Sequence, residues 1–245
     1  MTIITNNQIK IVTIIGDSLS MVRPKEGILY NDTYVFKLQK ILGPNFHVLS
    51  RNRRANDLIE QSIWINDDIL YNESSITIIY LGIVDCAPRL FSRKTSMILN
   101  FMTQYSILNK FVIFPVIKFK SKHRRFFTKR FPKTYVPQNI FKDKLEFIVK
   151  SIRDKTKSKV IIVNIADTSK KNKIRSYNFE DNINDYNNII NDICSDNADF
   201  CKLVDFNKIT KVEKDLILDD GIHLSIKGHN NLAYLLYQEI SCLND

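Results

Sequence analysis

Cysteine is scarce: Cys86, Cys194, Cys201 and Cys242 are the four in 245 residues. They form no CxxC pair and show no histidine spacing of a zinc site, and their density is far below that of a disulfide scaffold. They are read as free thiols, and no metal site is expected. No apolar stretch reaches the ~20 residues of a membrane span. Met1 to Ile15 holds one lysine in a short apolar run that ends at Gly16-Asp17, without the long apolar segment and small-residue cleavage site of a secretory signal. A soluble cytoplasmic protein is the expectation. Internal repeats, Gly/Ser linkers and low-complexity tracts are absent beyond a general Asn/Lys/Ile bias. Acid is short as well: Asp+Glu number 26 against 36 Lys+Arg, a formal charge of +10. That balance favours an anionic partner as a class and identifies none.

What is present is an average globular composition. Hydrophobic residues make up 44% and charged residues 25%, which excludes disorder, collagen-like sequence and coiled coil. A chain of this length buries roughly 70% of its unfolded surface without staples and reads as a single domain over 1–245. Ile9 to Ile15 is a β-branched run interrupted by Lys10, as expected of a strand buried on both faces. Further strands are predicted at Phe46 to Leu49, Ile76 to Leu81, Lys159 to Ile165 and Lys202 to Phe206. Between them the spacing predicts helices at Thr33 to Leu42, Leu58 to Leu70, Ser96 to Leu108, Val136 to Lys155, Phe179 to Cys194 and Ser225 to Leu243. This alternation implies βαβ units, hence an α/β domain with a mostly parallel five-stranded sheet and helices on both sides. Ligands of such sheets bind at the carboxyl ends of strands, so chemistry is sought after Ile15, Leu49, Leu81 and Phe206. One segment breaks the rhythm. Lys118 to Lys133 (KFKSKHRRFFTKRFPK) interleaves basic residues with Phe119, Phe126, Phe127 and Phe131, and reads as an inserted loop or lid.

Gly16-Asp17-Ser18-Leu19 follows the first strand and places a hydroxyl at the sheet edge. Ser18 can act as a nucleophile if a general base lies within hydrogen-bond reach and a third group fixes that base's tautomer. Asp220-Gly221-Ile222-His223, after the last strand and before the final helix, offers both. Either motif alone is weak, since Ser18 can equally cap the following turn and a lone histidine is more often structural. His229, on the final helix, is read as structural.

Together these motifs make the chain resemble the SGNH (GDSL-type) hydrolases, serine esterases of flavodoxin-like three-layer α/β/α fold, over essentially its whole length. The resemblance implies Ser18 as nucleophile, His223 as base and Asp220 as its orienting partner. It implies an oxyanion hole from the backbone N–H groups of Ser18 and Ala55, alanine standing where the family has glycine. The family's third donor is the asparagine of a Gly-x-Asn-Asp run; here the run is Gly82-Ile83-Val84-Asp85, and valine cannot donate. Asn56, Arg54 and Arg89 are the candidates for the missing dipole, with Gly82 beside them at the same edge. Asp17 is expected to brace the turn. Arg23, Arg54 and Arg89 would suit an acidic sugar, or would merely pair with carboxylates such as Asp57 and Asp85 outside the site, as would Arg53. Leu81 to Arg89 with Ser20-Met21-Val22-Arg23-Pro24 looks like a subgroup encoded among bacterial surface-polysaccharide biosynthesis genes.

The resulting expectation is a metal-free, cofactor-free serine esterase that removes a small acyl group, O-acetyl above all, from a carbohydrate. The alternatives are an O-acyltransferase using the same acyl-enzyme and a non-catalytic glycan-binding or assembly protein on this scaffold. Segment 118–133 is either solvated surface or a contact for an anionic glycan, a membrane face or nucleic acid. No helix-turn-helix, RRM or zinc finger supports the last. Oligomeric state is not legible.

Overall fold

The computed structural model describes residues 9–103 and 109–243. Most of the stretch read for a secretory signal, and the end of the helix predicted over Ser96 to Leu108, lie outside them. Five strands, β1 (Lys10–Gly16), β2 (Phe46–Asn52), β3 (Ile76–Tyr80), β4 (Lys159–Val163) and β5 (Cys201–Val204), form one sheet in the order β2-β1-β3-β4-β5, every pair parallel. This is the expected α/β architecture. The central strands are apolar on both faces: every residue of β3 is buried, as are Val12, Ile14 and Ile15 of β1 and Val160 to Val163 of β4.

Helices Tyr34–Leu42 and Ile226–Cys242 pack together. Leu58–Ile63 and Phe179–Asp196 each pack on Gln138–Lys155, and the two groups supply the outer layers. Three of the five are capped at their starts, Thr33, Asp57 and Ser225 each accepting a backbone N–H of the first turn. No helix among the described residues is long and apolar enough to cross a membrane.

Several expectations need correction. β2 runs to Asn52 because its pairing with β1 continues to Gly16↔Asn52, although Ser50, Arg51 and Asn52 are polar. An edge strand borders solvent, so its pairing can outlast its apolar run. The helix expected over Leu58 to Leu70 is broken at Trp64 into Leu58–Ile63 and Ile65–Asp68. Segment 118–133 is not an irregular loop: helices Phe114–Lys122 and Arg124–Arg130 occupy most of it. Phe119, His123 and Phe127, four residues apart, line up with ring centroids of Phe119 4.9 Å from His123 and 6.0 Å from Phe127. Helices Lys170–Arg175 and Phe206–Val212, capped by Ser169 and Asp205, were not expected. Cys86, Cys194 and Cys201 are buried and Cys242 exposed, all free, with the sulfurs of Cys194 and Cys201 3.5 Å apart.

Candidate active site

β1 delivers Ser18 to the carboxyl edge of the sheet. The chain leaves the strand at Gly16, where any Cβ would collide with Ser20 Oγ and Asn52 Oδ1. It then turns through a short 3-10 segment, Ser18–Ser20, that Asp17 caps by accepting the Leu19 N–H at 2.8 Å. Asp17 is fully buried and its second carboxyl oxygen has no hydrogen-bond partner among the described residues. Burial pushes its pKa up to about 7, opposed by the Leu19 N–H and by the nearby His223 and Arg89 side chains. Ser20 Oγ shares a 2.6 Å hydrogen bond with the buried Tyr34 hydroxyl, which fixes the far end of the turn.

The other end of the chain brings the imidazole. Ile217 and Leu224 form an antiparallel bridge, and between them the loop is tied by Leu218 N–H to His223 O at 2.7 Å and Gly221 N–H to Leu218 O at 2.8 Å. Gly221 has φ +75°, and a side chain there would run into Ser169. Within this loop Asp220 Oδ1 accepts the backbone N–H groups of Ile222 and His223, each at 2.9 Å. Asp220 Oδ2 lies 2.6 Å from His223 Nδ1, and His223 Nε2 lies 3.1 Å from Ser18 Oγ. Partial burial works against the Asp220 anion, but the ring and two backbone donors together hold its carboxyl well below the usual range. An ionised Asp220 is an acceptor only, so the neutral ring carries its proton on Nδ1 and leaves Nε2 free to accept from Ser18.

The loop after β2 closes beside Ser18. Arg53 N–H at 3.2 Å and Asn56 Nδ2 at 3.3 Å both donate to Gly16 O. Between them Ala55 adopts φ +56°, the left-handed region that a glycine would occupy without strain. The backbone N–H groups of Ser18 and Ala55 donate to no acceptor among the described residues.

Two of the side chains expected to replace the missing donor, Asn56 and Arg89, are committed elsewhere. Asn56 is fully buried and spends its amide N–H groups on Gly16 O and Gln61 Oε1. Arg89 turns inward: Nη2 donates to Val84 O at 2.6 Å and the guanidinium lies 4.1 Å from the centre of the Tyr135 ring. Val84 is buried, and a Cβ at Gly82, where φ is +130°, would collide with Ile165. Arg54 is exposed and makes no hydrogen bond or ion pair among the described residues. Arg23 pairs with Glu26 at 3.0 Å and stands 3.7 Å from Asp220 Oδ2, the same oxygen that faces His223 Nδ1.

The expected arginine pairings are redistributed too. Arg53 pairs with Asp68 at 2.6 Å, and Asp57 is taken by Arg93. Buried Asp85 accepts the Leu58 N–H at 3.0 Å; burial first, then the charges of Asp57 and Asp17, pushes it up to about 8. His229 is buried and accepts the Tyr34 N–H at 3.1 Å as a neutral ring, its basicity lowered by burial to about 4.

Residues not singled out in the sequence brace the Asp220 loop. Thr168 Oγ1 donates to Gly221 O at 2.6 Å and Asn172 Nδ2 to Asp220 O at 2.8 Å. The available signal was their position just past β4, at the same carboxyl edge. Among the described residues no group of three His, Cys, Asp or Glu is placed to hold a metal ion.

No protein-family model and no curated protein sequence matches the chain. Solved structures do. A lipase/acylhydrolase from Enterococcus faecalis superposes with TM-score 0.65 at 13% identity, covering 94% of this chain and 95% of that one. The likeness is one of fold. An acetylxylan esterase from Geobacillus stearothermophilus, solved as a catalytic mutant, gives 0.61 at 16% identity over 94% of both chains. Catalytic mutants of that esterase replace a serine, an aspartate and a histidine three residues beyond the aspartate. LAE5, an alpha/beta hydrolase enzyme from the metagenome of Lake Arreo, Spain, gives 0.63 at 15% identity over 96% of this chain and 97% of that one.

Proposed function

We propose that this chain is a serine esterase that hydrolyses a small acyl ester, O-acetyl in the first instance, carried by a carbohydrate. The observation that carries the reading is the relay Ser18 Oγ to His223 Nε2 at 3.1 Å and His223 Nδ1 to Asp220 Oδ2 at 2.6 Å, assembled from opposite ends of the chain. Ser18 Oγ attacks the ester carbonyl as its proton passes to Nε2. The carbonyl becomes a tetrahedral oxyanion that the N–H groups of Ser18 and Ala55 receive. When the C–O bond to the alcohol breaks, Nε2 returns the proton to the departing oxygen. Water then attacks the acyl-Ser18 ester with Nε2 again as proton acceptor, releasing the acid and restoring the hydroxyl. Asp220 stays ionised throughout and stabilises the imidazolium.

The carbohydrate acetyl substrate is supported by the esterases of matching fold that act on acetylated xylan, and by the resemblance to polysaccharide-associated SGNH sequences. For an acidic sugar the support is Arg54, since Arg23 and Arg89 have other partners.

The test is intact-mass detection of a fluorophosphonate adduct on Ser18. A single adduct on the wild type, absent in Ser18→Ala and sharply slowed in His223→Ala, is expected together with turnover of p-nitrophenyl acetate. A second reading, a non-catalytic glycan-binding protein, is favoured by Val84, whose side chain cannot donate, and by the commitment of Asn56 and Arg89 to other partners; glycan binding without adduct formation would select it.

A further inference from the structure

The positive charge of the molecule is concentrated in one stretch that the hydrolytic site does not use. From Cys86 to Lys142 the sequence contains thirteen Lys and Arg and no Asp or Glu, more than the net +10 of the whole chain. Helices Arg93–Met102 and Phe114–Lys122 in this stretch bury none of their residues, and Arg124–Arg130 buries only Thr128. Surface helices of a globular domain ordinarily turn their apolar positions to the core. Here Met97, Ile98, Phe111, Phe114, Phe119 and Phe126 stay 58–69% exposed. Around them Lys118, Lys122, Arg125, Lys129 and Arg130 pair with no carboxylate among the described residues.

The face is built on the domain rather than trailing from it. Arg124 donates to Ser176 Oγ at 2.7 Å and Pro88 O at 2.5 Å, Arg125 to Ile174 O at 2.8 Å, and the Tyr177 N–H to Thr128 Oγ1 at 3.0 Å. Pro88 lies on the segment leaving β3, at the sheet edge that carries Ser18.

Its chemistry narrows the occupant. A second copy would set like charges against each other. A hydrated polyanion would answer the lysines and arginines but leave Met97, Ile98 and Val116 in water. A lipid interface takes both: cations at the headgroups, rings and aliphatic chains at the acyl boundary. We propose that this basic, apolar helical face docks on an anionic bilayer surface and lies in its plane without crossing it. The proposal is independent of the hydrolytic reading, because vesicle binding is measured without an activity assay.

The experiment is flotation of the full chain with vesicles of phosphatidylcholine alone or mixed with phosphatidylglycerol, with dextran sulfate as the competing polyanion. Binding to the anionic vesicles is expected, with little to phosphatidylcholine, and it should collapse when salt rises from ~0.1 M to ~1 M. Each cation near such a surface is worth about fivefold in partition, so K118E/K122E/R130E should weaken binding by at least ~100-fold. F111S/F114S/F126S should weaken it on the order of 100-fold through lost apolar burial. Amide exchange on the unaltered chain is a second readout that needs no variant to fold: vesicles should protect Phe114–Lys122 and Arg124–Arg130. Failure to float with anionic vesicles, floating that the phenylalanine variant leaves intact, exchange unchanged in both helices, or displacement by dextran sulfate regardless of the phenylalanines would each overturn the proposal. The last outcome would assign the face to an anionic glycan.

Discussion

Asp220→Asn tests how the imidazole is held. Asp220 Oδ1 faces two backbone donors, the N–H groups of Ile222 and His223 at 2.9 Å, while Oδ2 faces His223 Nδ1 at 2.6 Å. Asparagine has one accepting and one donating end. The two backbone donors keep the amide oxygen on their side, since turning the NH2 toward them would oppose donor to donor. The NH2 must then face Nδ1, which can meet it only as an acceptor, and the ring proton moves to Nε2. Nε2 now donates toward Ser18 Oγ and cannot take its proton. The expected fall in kcat is on the order of 10⁴, about 5.4 kcal/mol of barrier. Stability should fall far less, by ~1.5–3 kcal/mol for the lost charged hydrogen bond, because both backbone bonds to the loop survive. The assay is p-nitrophenyl acetate turnover at neutral pH beside nitrogen NMR of the His223 ring. Turnover within about tenfold of the wild type, or a ring still protonated on Nδ1, would refute the reasoning.

Ala55→Gly relieves a left-handed backbone and keeps the N–H, so urea unfolding should show ~0.5–1 kcal/mol of added stability with kcat unchanged; a loss of stability would mean the loop is unstrained. Val84→Asn supplies an amide at the position where the resembling family has one, and kcat should rise by up to ~10². An unchanged kcat in a folded variant would show that this position does not face the oxyanion. Buried Asp85 is neutral in the fold up to about pH 8 but ionises near 4 once unfolded, so between those values the unfolded chain binds fewer protons and stability falls as pH rises. Asp85→Asn removes that dependence. Its stability relative to the wild type should climb by up to ~1.4 kcal/mol per pH unit between about 4 and 8 in denaturant titrations, and a flat difference would contradict a neutral Asp85.

The strands were legible because a parallel sheet buried on both faces demands apolar runs, and β1, β3 and β4 supply them almost without interruption. What was misread obeys a different constraint. Ser50 to Asn52 belong to β2 because backbone pairing with β1 needs no apolar side chain. The helices within 118–133 were hidden because nearly every second residue is charged, while the apolar positions that remain face away from the core and give no buried stripe.

The candidate site divides along the same line. Ser18, Asp220 and His223 could be located because their chemistry fixes the residue type and their backbones sit on tight turns that the sequence marks with Gly16 and Gly221. Arginines carry no such constraint. Arg23, Arg53 and Arg89 each reach several ångströms from their Cα, and the groups they found, Glu26, Asp68 and the Val84 carbonyl, depend on packing no local pattern encodes. Arg89 shows why proximity in sequence misled. Val84 lacks a donor, so a nearby cation looked like its replacement, yet the Val84 carbonyl is what the guanidinium binds. That bond neutralises no oxyanion and holds the segment leaving β3 closed. Of the expected substitutes only Arg54 keeps its donors uncommitted among the described residues, so a restored donor has two sources, the Arg54 guanidinium or a new side chain at Val84.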